Sequence, residues 1–222
     1  KECNRKVQQG LQLTLVLTVP CAIGFAVLGK PIISLIYAKL SDADTQVVAN
    51  LLLLGGISIV FYGISSVLNG VLQGIGKVNV PVVSAIIALV LHVFILYPMI
   101  TIFHLGVYAL ILATAVYAII VVIVNYSFVK KELQYKMEWK QTVGVPFASA
   151  LVMGLVAFVV YWGLDFVLQK VTGAYVSNAC ACLVAIGIAA MVIGVLVALI
   201  ITKSIVSALQ NVENSADEMA RG

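Results

Sequence analysis

Charge is what this sequence has least of. Only 10% of its 222 residues are Asp, Glu, Lys or Arg, against about 25% in an average soluble domain, while 63% are hydrophobic. A chain of this balance has too little polar surface to cover an apolar core in water, which excludes an ordinary soluble globule. The few charges are also bunched. None falls between Lys6 and Lys30, Asp44 and Lys77, Lys77 and Lys130, Lys140 and Asp165, or Lys170 and Lys203. A helix that crosses a bilayer needs roughly 20 mostly apolar residues. Each interval therefore holds at least one span, and the fold class is an all-α integral membrane protein.

Residues that carry chemistry are scarce as well. There are two His and four Cys. Cys180 and Cys182 stand two apart, where helical side chains diverge, with no His or carboxylate beside them, so the cysteines are expected to be small apolar packing residues. The sequence offers no Ser-His-Asp set, no metal-ligand spacing and no pair of carboxylates within reach of one cavity. It is not expected to be an enzyme or to need a cofactor. Asp42 and Asp44 are expected in a short solvated turn. The first apolar run leads into Lys30-Pro31 without a small-residue cleavage pattern, so it does not read as a secretory signal peptide.

Six apolar runs are present, at about 10–28, 47–72, 81–100, 106–129, 143–164 and 176–201. Pro20 lies inside the first as a kink candidate. Pro81 opens the third at a favourable first-turn position, and Pro98 disturbs its last turn. With the N-terminus in the cytoplasm, Lys1, Arg5, Lys6, Lys77, Lys130, Lys131, Lys136, Lys140, Lys203 and Arg221 fall inside, and only Lys30, Lys39 and Lys170 fall outside. Cytoplasmic loops are enriched in Lys and Arg, so this orientation is favoured, and six spans return the C-terminus to the cytoplasm. The net charge of +4 then reflects topology, with some attraction to anionic lipid headgroups. Basic patches interleaved with aromatics are missing outside the spans, so the expected partner is the lipid bilayer and not nucleic acid. Residues 1–202 read as one six-span unit, followed by a cytoplasmic amphipathic tail at 203–222.

The stretch NGVLQGIGKVNVP, Asn69 to Pro81, has the look of a phosphate-gripping loop. A Walker A motif needs Gly, four residues, then Gly-Lys-Ser/Thr, so that backbone amides cradle phosphate and the hydroxyl reaches magnesium. Counting back from Gly76-Lys77, the first Gly position holds Val71, and Val78 replaces the hydroxyl. A membrane span precedes it instead of a strand. The stretch reads as the end of span two, a Gly-rich turn carrying Lys77, and the start of span three.

The same residues carry a resemblance. LTVPCAIGFAVLGKPIISLIY, followed about thirty residues on by SSVLNGVLQGIGKVNVPVVSAIIALVLHVFILYPMI, resembles the polysaccharide-type branch of the multidrug/oligosaccharidyl-lipid/polysaccharide exporter superfamily. The nearest likeness is to the stage V sporulation protein B and lipid II flippase relatives. Pro20 with Gly24, Lys30 to Ile33, and the Asn-Gly-x-x-Gln-Gly-x-Gly-Lys run from Asn69 to Lys77 carry the match, which covers roughly residues 5–200. Such transporters have twelve to fourteen spans in two lobes of like topology. The resemblance implies that these six spans are a C-terminal lobe, with a missing N-terminal lobe of the same protein as partner. It also implies a flippase that moves lipid-linked sugar precursors of polysaccharide or peptidoglycan across the cytoplasmic membrane by alternating access.

Polar groups inside spans are costly unless satisfied, which makes them functional candidates. Asn69 and Gln73 lie four apart on one face of span two. They are either a cavity-facing pair that bonds a sugar or gates the inner mouth, or interhelical packing residues beside the small-xxx-small pair Gly70 and Gly74. His92 is the one ionisable group well inside a span. It is either a proton-coupled switch, since His titrates in the physiological range, or a neutral group bonded to a neighbouring helix. Gly55, Gly56 and Gly63 suggest close helix approach or a hinge. Tyr62, Tyr97, Tyr108, Tyr117, Tyr126, Tyr161 and Trp162 are expected near span ends, where aromatic belts occur. No Lys or Arg lies deep in any span, although a lipid pyrophosphate calls for cations. The missing lobe is expected to supply them, leaving this chain alone unable to transport.

The tail KSIVSALQNVENSADEMARG resembles the linker helix after the second span of chemotaxis receptors and sensor kinases, through Ser204, Ile205, Leu209, Ala216, Met219, Ala220 and Gly222. Ala208 stands where that linker has Pro. The tail keeps two alternatives open: a membrane sensor passing a signal to a missing cytoplasmic module, or a scaffold subunit that does not transport. A helix lying on the lipid surface is a further reading of the same residues.

Overall fold

The computed structural model describes residues 2–134, 140–171 and 173–221, with side chains described except at positions 2, 141, 200, 201 and 203–221. These residues form six long helices: α1 (Glu2–Ile36), α2 (Asp42–Gly74), α3 (Asn79–Thr101), α4 (Val107–Leu133), α5 (Val145–Leu168) and α6 (Ala174–Arg221). A π-helical turn at Lys140–Gly144 leads into α5. All six helices are long and apolar enough to cross a membrane.

The helices overrun the expected spans, most of all at α6 and next at α1, which continues unbroken through Pro20 and Pro31. Proline removes one backbone donor and frees the carbonyl four residues earlier. At the second proline a neighbouring helix comes close, and Asn178 Nδ2 donates to the Pro31 carbonyl at 3.3 Å. At about 1.5 Å per residue, the 35 residues of α1 reach about 52 Å, well beyond a hydrocarbon core of about 30 Å. Helix α2 also starts earlier than expected. Ser41 caps it, its Oγ accepting from the Asp44 amide at 3.1 Å and donating to Asp44 Oδ2 at 2.6 Å. Asp42 and Asp44 therefore sit in the first helical turn and not in a loop, where carboxylates complement the helix dipole.

The Gly-rich stretch resolves into a helix stop. Gly76 has φ +77°, and the Gly76 amide donates to the Gln73 carbonyl while the Lys77 amide donates to that of Leu72. This is the Schellman pairing, in which a left-handed residue, usually Gly, closes the last carbonyls of a helix. The turn spends the Gly76 and Lys77 amides on closing the helix. At the far end of α3, the Ile102 and Phe103 amides both turn back to the Pro98 carbonyl, which ends the helix at Thr101.

The helices pack in the order α3–α4–α2–α1–α5–α6, with α1 also touching α6. Helix α1 is thus the shared wall of the bundle. Its first half joins α2 and α4 around Val7, Leu11, Leu68, Leu72 and Val129. Its second half joins α5 and α6 around Leu28, Met153, Ala157, Ala185 and Ala189. Glycines set the closest crossings. A Cβ on Gly63 would meet the Thr14 and Thr18 methyls at 2.7 and 2.8 Å, one on Gly56 would meet the Ala22 backbone at 3.2 Å, and one on Gly154 would meet the Ile23 methyl at 2.5 Å. Helix α3 is peripheral: only Ser84 and Ala88 are fully buried, and its outer face of Val83, Ile86, Val90, Phe94 and Tyr97 is exposed.

Three expectations need correction. Cys3, Cys21 and Cys180 are exposed and only Cys182 is buried, so packing describes one cysteine of the four. Gly70 and Gly74 meet nothing within 4 Å, so the small-residue seam of α2 uses Gly56 and Gly63 instead. Tyr62 and Tyr117 lie mid-helix and face each other, away from any interfacial belt. The tail at 203–222 continues α6 without a break as far as Arg221. The apolar positions Ile205, Leu209, Val212 and Met219 on which its amphipathic reading rests lie outside the described side chains.

Candidate polar seam and membrane cavities

Helix α2 carries a polar stripe toward α4, and the structure shows where each candidate residue stands on it. Asn69 is not free. Asn125 Nδ2 on α4 donates to Asn69 Oδ1 at 2.6 Å, and Asn125 is completely buried. Sequence reading missed Asn125. The only available signal was a carboxamide within the apolar run of span four, and nothing local announces a partner 56 residues away. Gln73, one turn beyond Asn69, is exposed, so the two residues share a face but not a role. Below them Lys77 Nζ lies 3.1 Å from Glu132 Oε1, and Asn4 Nδ2 donates to the Leu133 carbonyl at 3.3 Å. Three polar ties therefore fasten α4 to α1, to α2 and to the turn that follows α2, all at the lysine-bearing end of the bundle.

Higher on the same seam, His92 of α3 stands edge-on to Tyr117 of α4, with ring centroids 6.0 Å apart at 90°. Tyr117 in turn leans on Tyr62 of α2 at 6.2 Å. Among the described residues, His92 Nδ1, Asn125 Oδ1 and Thr142 Oγ1 are buried without a hydrogen-bond partner. Tyr62 also walls a cavity of about 270 Å³ with Phe25, Gly55, Ser58 and Thr114. Gly55 therefore faces open space, whereas its neighbour Gly56 is pressed against α1. A second, larger groove of about 570 Å³ runs between α4 and α5 over a floor of α1 and α2, and its walls, including Leu15, Ile57, Val122 and Phe147, are almost wholly apolar.

At the opposite end, α5 and α6 are tied to α1 by polar contacts that the sequence did not suggest. Tyr161 Oη donates to Asn178 Oδ1 at 2.8 Å, and Asn178 reaches Pro31 as described. Tyr175 Oη donates to the Leu35 carbonyl at 3.3 Å, and Ser177 Oγ donates to Asp165 Oδ1 at 2.7 Å. Among the described residues no three of His, Cys, Asp and Glu come together as metal ligands.

Such an arrangement ties the helices to one another through polar contacts, and both cavities have almost wholly apolar walls. The family model described as lipid II flippase MurJ matches residues 1–181. Among curated relatives, the chain is 28% identical over 175 residues to the lipid II flippase MurJ of Bacillus subtilis (strain 168), covering 78% of this chain and 31% of that protein. It is 27% identical over 174 residues to the probable lipid II flippase MurJ of Aquifex aeolicus (strain VF5), covering 78% of this chain and 33% of that protein. The chain thus spans about a third of the length of the curated relatives it matches. It is a multi-pass membrane protein, and it belongs to the lipid II flippase MurJ family.

Proposed function

We propose that this chain is part of a flippase that moves lipid-linked peptidoglycan precursor across the cytoplasmic membrane by alternating access. The observation that carries the reading is the family match over residues 1–181. In this reading α1 to α6 form a six-helix lobe, residues 1–202, with both ends cytoplasmic and the tail at 203–222 on the cytoplasmic side. The lysine distribution supports that orientation. An upstream lobe of the same polypeptide completes the translocation path and supplies the cations for the pyrophosphate. The substrate headgroup passes between the lobes while its lipid tail stays in the bilayer.

The candidate residues divide by their surroundings. Gln73, exposed at the end of α2, is the candidate for contact with the substrate headgroup. Asn69 acts through Asn125 as a tie between helices. Pro20 and Pro98 are the bending points, with Gly55 and Gly56 as a second hinge candidate. Kinks of this kind occur at proline and glycine. The tail lies beyond the matched residues and does not bear on this reading.

The test reconstitutes the full-length gene product in proteoliposomes and follows translocation of a fluorescent lipid-linked oligosaccharide. The unaltered protein is expected to translocate it. Gln73→Ala is expected to slow transport with the fold intact, and the 222-residue chain alone is expected to be inactive. A full-length protein that moves no lipid-linked sugar refutes the proposal.

A further inference from the structure

We infer that the seam between α2 and α4 is a hydrated line running from the lysine-bearing face of the bundle to His92, and that His92 is the proton-binding group at its end. On α2, buried Ser65, Asn69 and exposed Gln73 recur every fourth residue, and Lys77 lies in the turn just past the helix. Residues four apart share a helix face, so these form a single stripe. Helix α4 answers it with Asn125, bonded to Asn69, and with Glu132, paired with Lys77 at the mouth. At 1.5 Å per residue, Asn69 lies about 7 Å and Tyr62 about 18 Å from the end of α2 at Gly74. His92 lies about 20 Å from the start of α3 at Asn79, level with Tyr62. The stripe and the aromatic contacts therefore meet at one depth.

Two atoms carry the argument. Asn125 Oδ1 and His92 Nδ1 are both buried without a partner among the described residues. Buried polar groups are as a rule paired, with protein or with ordered water, and a buried water typically makes about three hydrogen bonds. One orphan atom sits low on the seam and the other at its top, with buried Ser65 on the turn between them. Water entering past Lys77 and Glu132 would satisfy both orphans in turn.

The groups facing His92 are neutral. Helix α4 presents Tyr117, and Tyr62 of α2 lies behind it. The nearest charges along the seam are Lys77 and Glu132 at its mouth. A proton arriving at His92 would thus create the one charge in α3, whose span between Lys77 and Lys130 is otherwise free of Asp, Glu, Lys and Arg. Use of that proton to drive transport rests on the flippase reading; hydration and protonation of His92 do not.

The test labels histidine with 15N, places the chain in phosphatidylcholine–phosphatidylglycerol vesicles, and measures water-edited solid-state NMR across pH. His104→Gln assigns the two signals. Strong magnetisation transfer from water to His92 is expected, together with uptake of a proton by its ring on acidification. The pair Asn69→Leu/Asn125→Leu keeps side-chain size while removing the amides, and is expected to abolish the water transfer at His92 while sparing His104. Should that pair fail to fold, Ser65→Ala takes its place with the same expected loss. A dry or non-titrating His92 in the unaltered chain overturns the inference, as does a His92 that stays equally wet after the seam is sealed. Because nothing in this readout involves translocation, failure to move lipid leaves it untouched.

Discussion

Two glycines eight residues apart on α2 allow the packing of α1 against α2 to be measured with the chemistry held constant. Gly55→Ala and Gly63→Ala make the same change in the same helix, each with the same gain in helix propensity of about 1 kcal/mol. At Gly55 the new methyl meets nothing within 4 Å. At Gly63 it would stand 2.7 Å from Thr14 Cγ2 and 2.8 Å from Thr18 Cγ2, about 0.8 Å inside an ordinary carbon–carbon contact. Thr18 cannot simply rotate away, because its Oγ1 donates to the Thr14 carbonyl at 3.0 Å and its branched Cβ holds few rotamers. The helices have to part instead. Overpacking of this kind costs about 1–3 kcal/mol, so Gly63→Ala is expected to fall below Gly55→Ala by about that amount, roughly a 5- to 150-fold shift in the unfolding equilibrium. Reversible unfolding by steric trapping in bicelles measures the difference. Thr14→Ser/Thr18→Ser deletes both opposing methyls but keeps the hydroxyls, and is expected to restore the Gly63→Ala variant. Equal stability of the two glycine variants, or no rescue by the serines, refutes the close crossing.

Two more expectations follow from the polar ties. Interhelical hydrogen bonds in membranes contribute about 0.6–2 kcal/mol, and a double-mutant cycle of Asn69→Ala with Asn125→Ala should show a coupling in that range; additive effects would mean that the amides do not meet. Tyr161→Phe removes the hydroxyl bonded to Asn178 but keeps the ring, and should cost about 0.5–1.5 kcal/mol. Hydrogen exchange should quicken in α5 and α6 and stay unchanged in α3, which packs chiefly on α4; a uniform change along the chain would contradict this.

The number and rough position of the spans were legible because they depend on run length and charge, which need no knowledge of neighbours. Helix ends were less so. Pro31 looks like a stop when α1 is considered alone, yet the helix continues there, in contact with Asn178 from a segment 147 residues away. The glycines show the same limit. Gly70 and Gly74 have the spacing of a packing motif but meet open space, while Gly56 and Gly63, seven apart, make the contact. Spacing tells which residues share a face and not which face is covered. For the site, the stripe of Asn69 and Gln73 was visible as polar residues in register. Asn125 was not, because its meaning lies in a partner on another helix. His92 was singled out for being ionisable, but only the structure sets it against Tyr117 and Tyr62.

The position of α1 as shared wall also has a consequence in time. Its bonds to Leu133, Tyr175 and Asn178 span 129, 140 and 147 residues. At a synthesis rate of about 5–20 residues per second, α1 enters the bilayer some 7–30 s before α6 is available to bind it. Through that interval the face carrying Ile23, Val27 and Leu28 has none of its α5 and α6 partners, and the Pro31 carbonyl lacks its contact with Asn178. Nascent α1 thus depends on something other than its final neighbours, whether lipid or an insertion chaperone, to shield that face. A delay at the ribosome anywhere between α1 and α5 would prolong its dependence, whereas a delay before α1 would not.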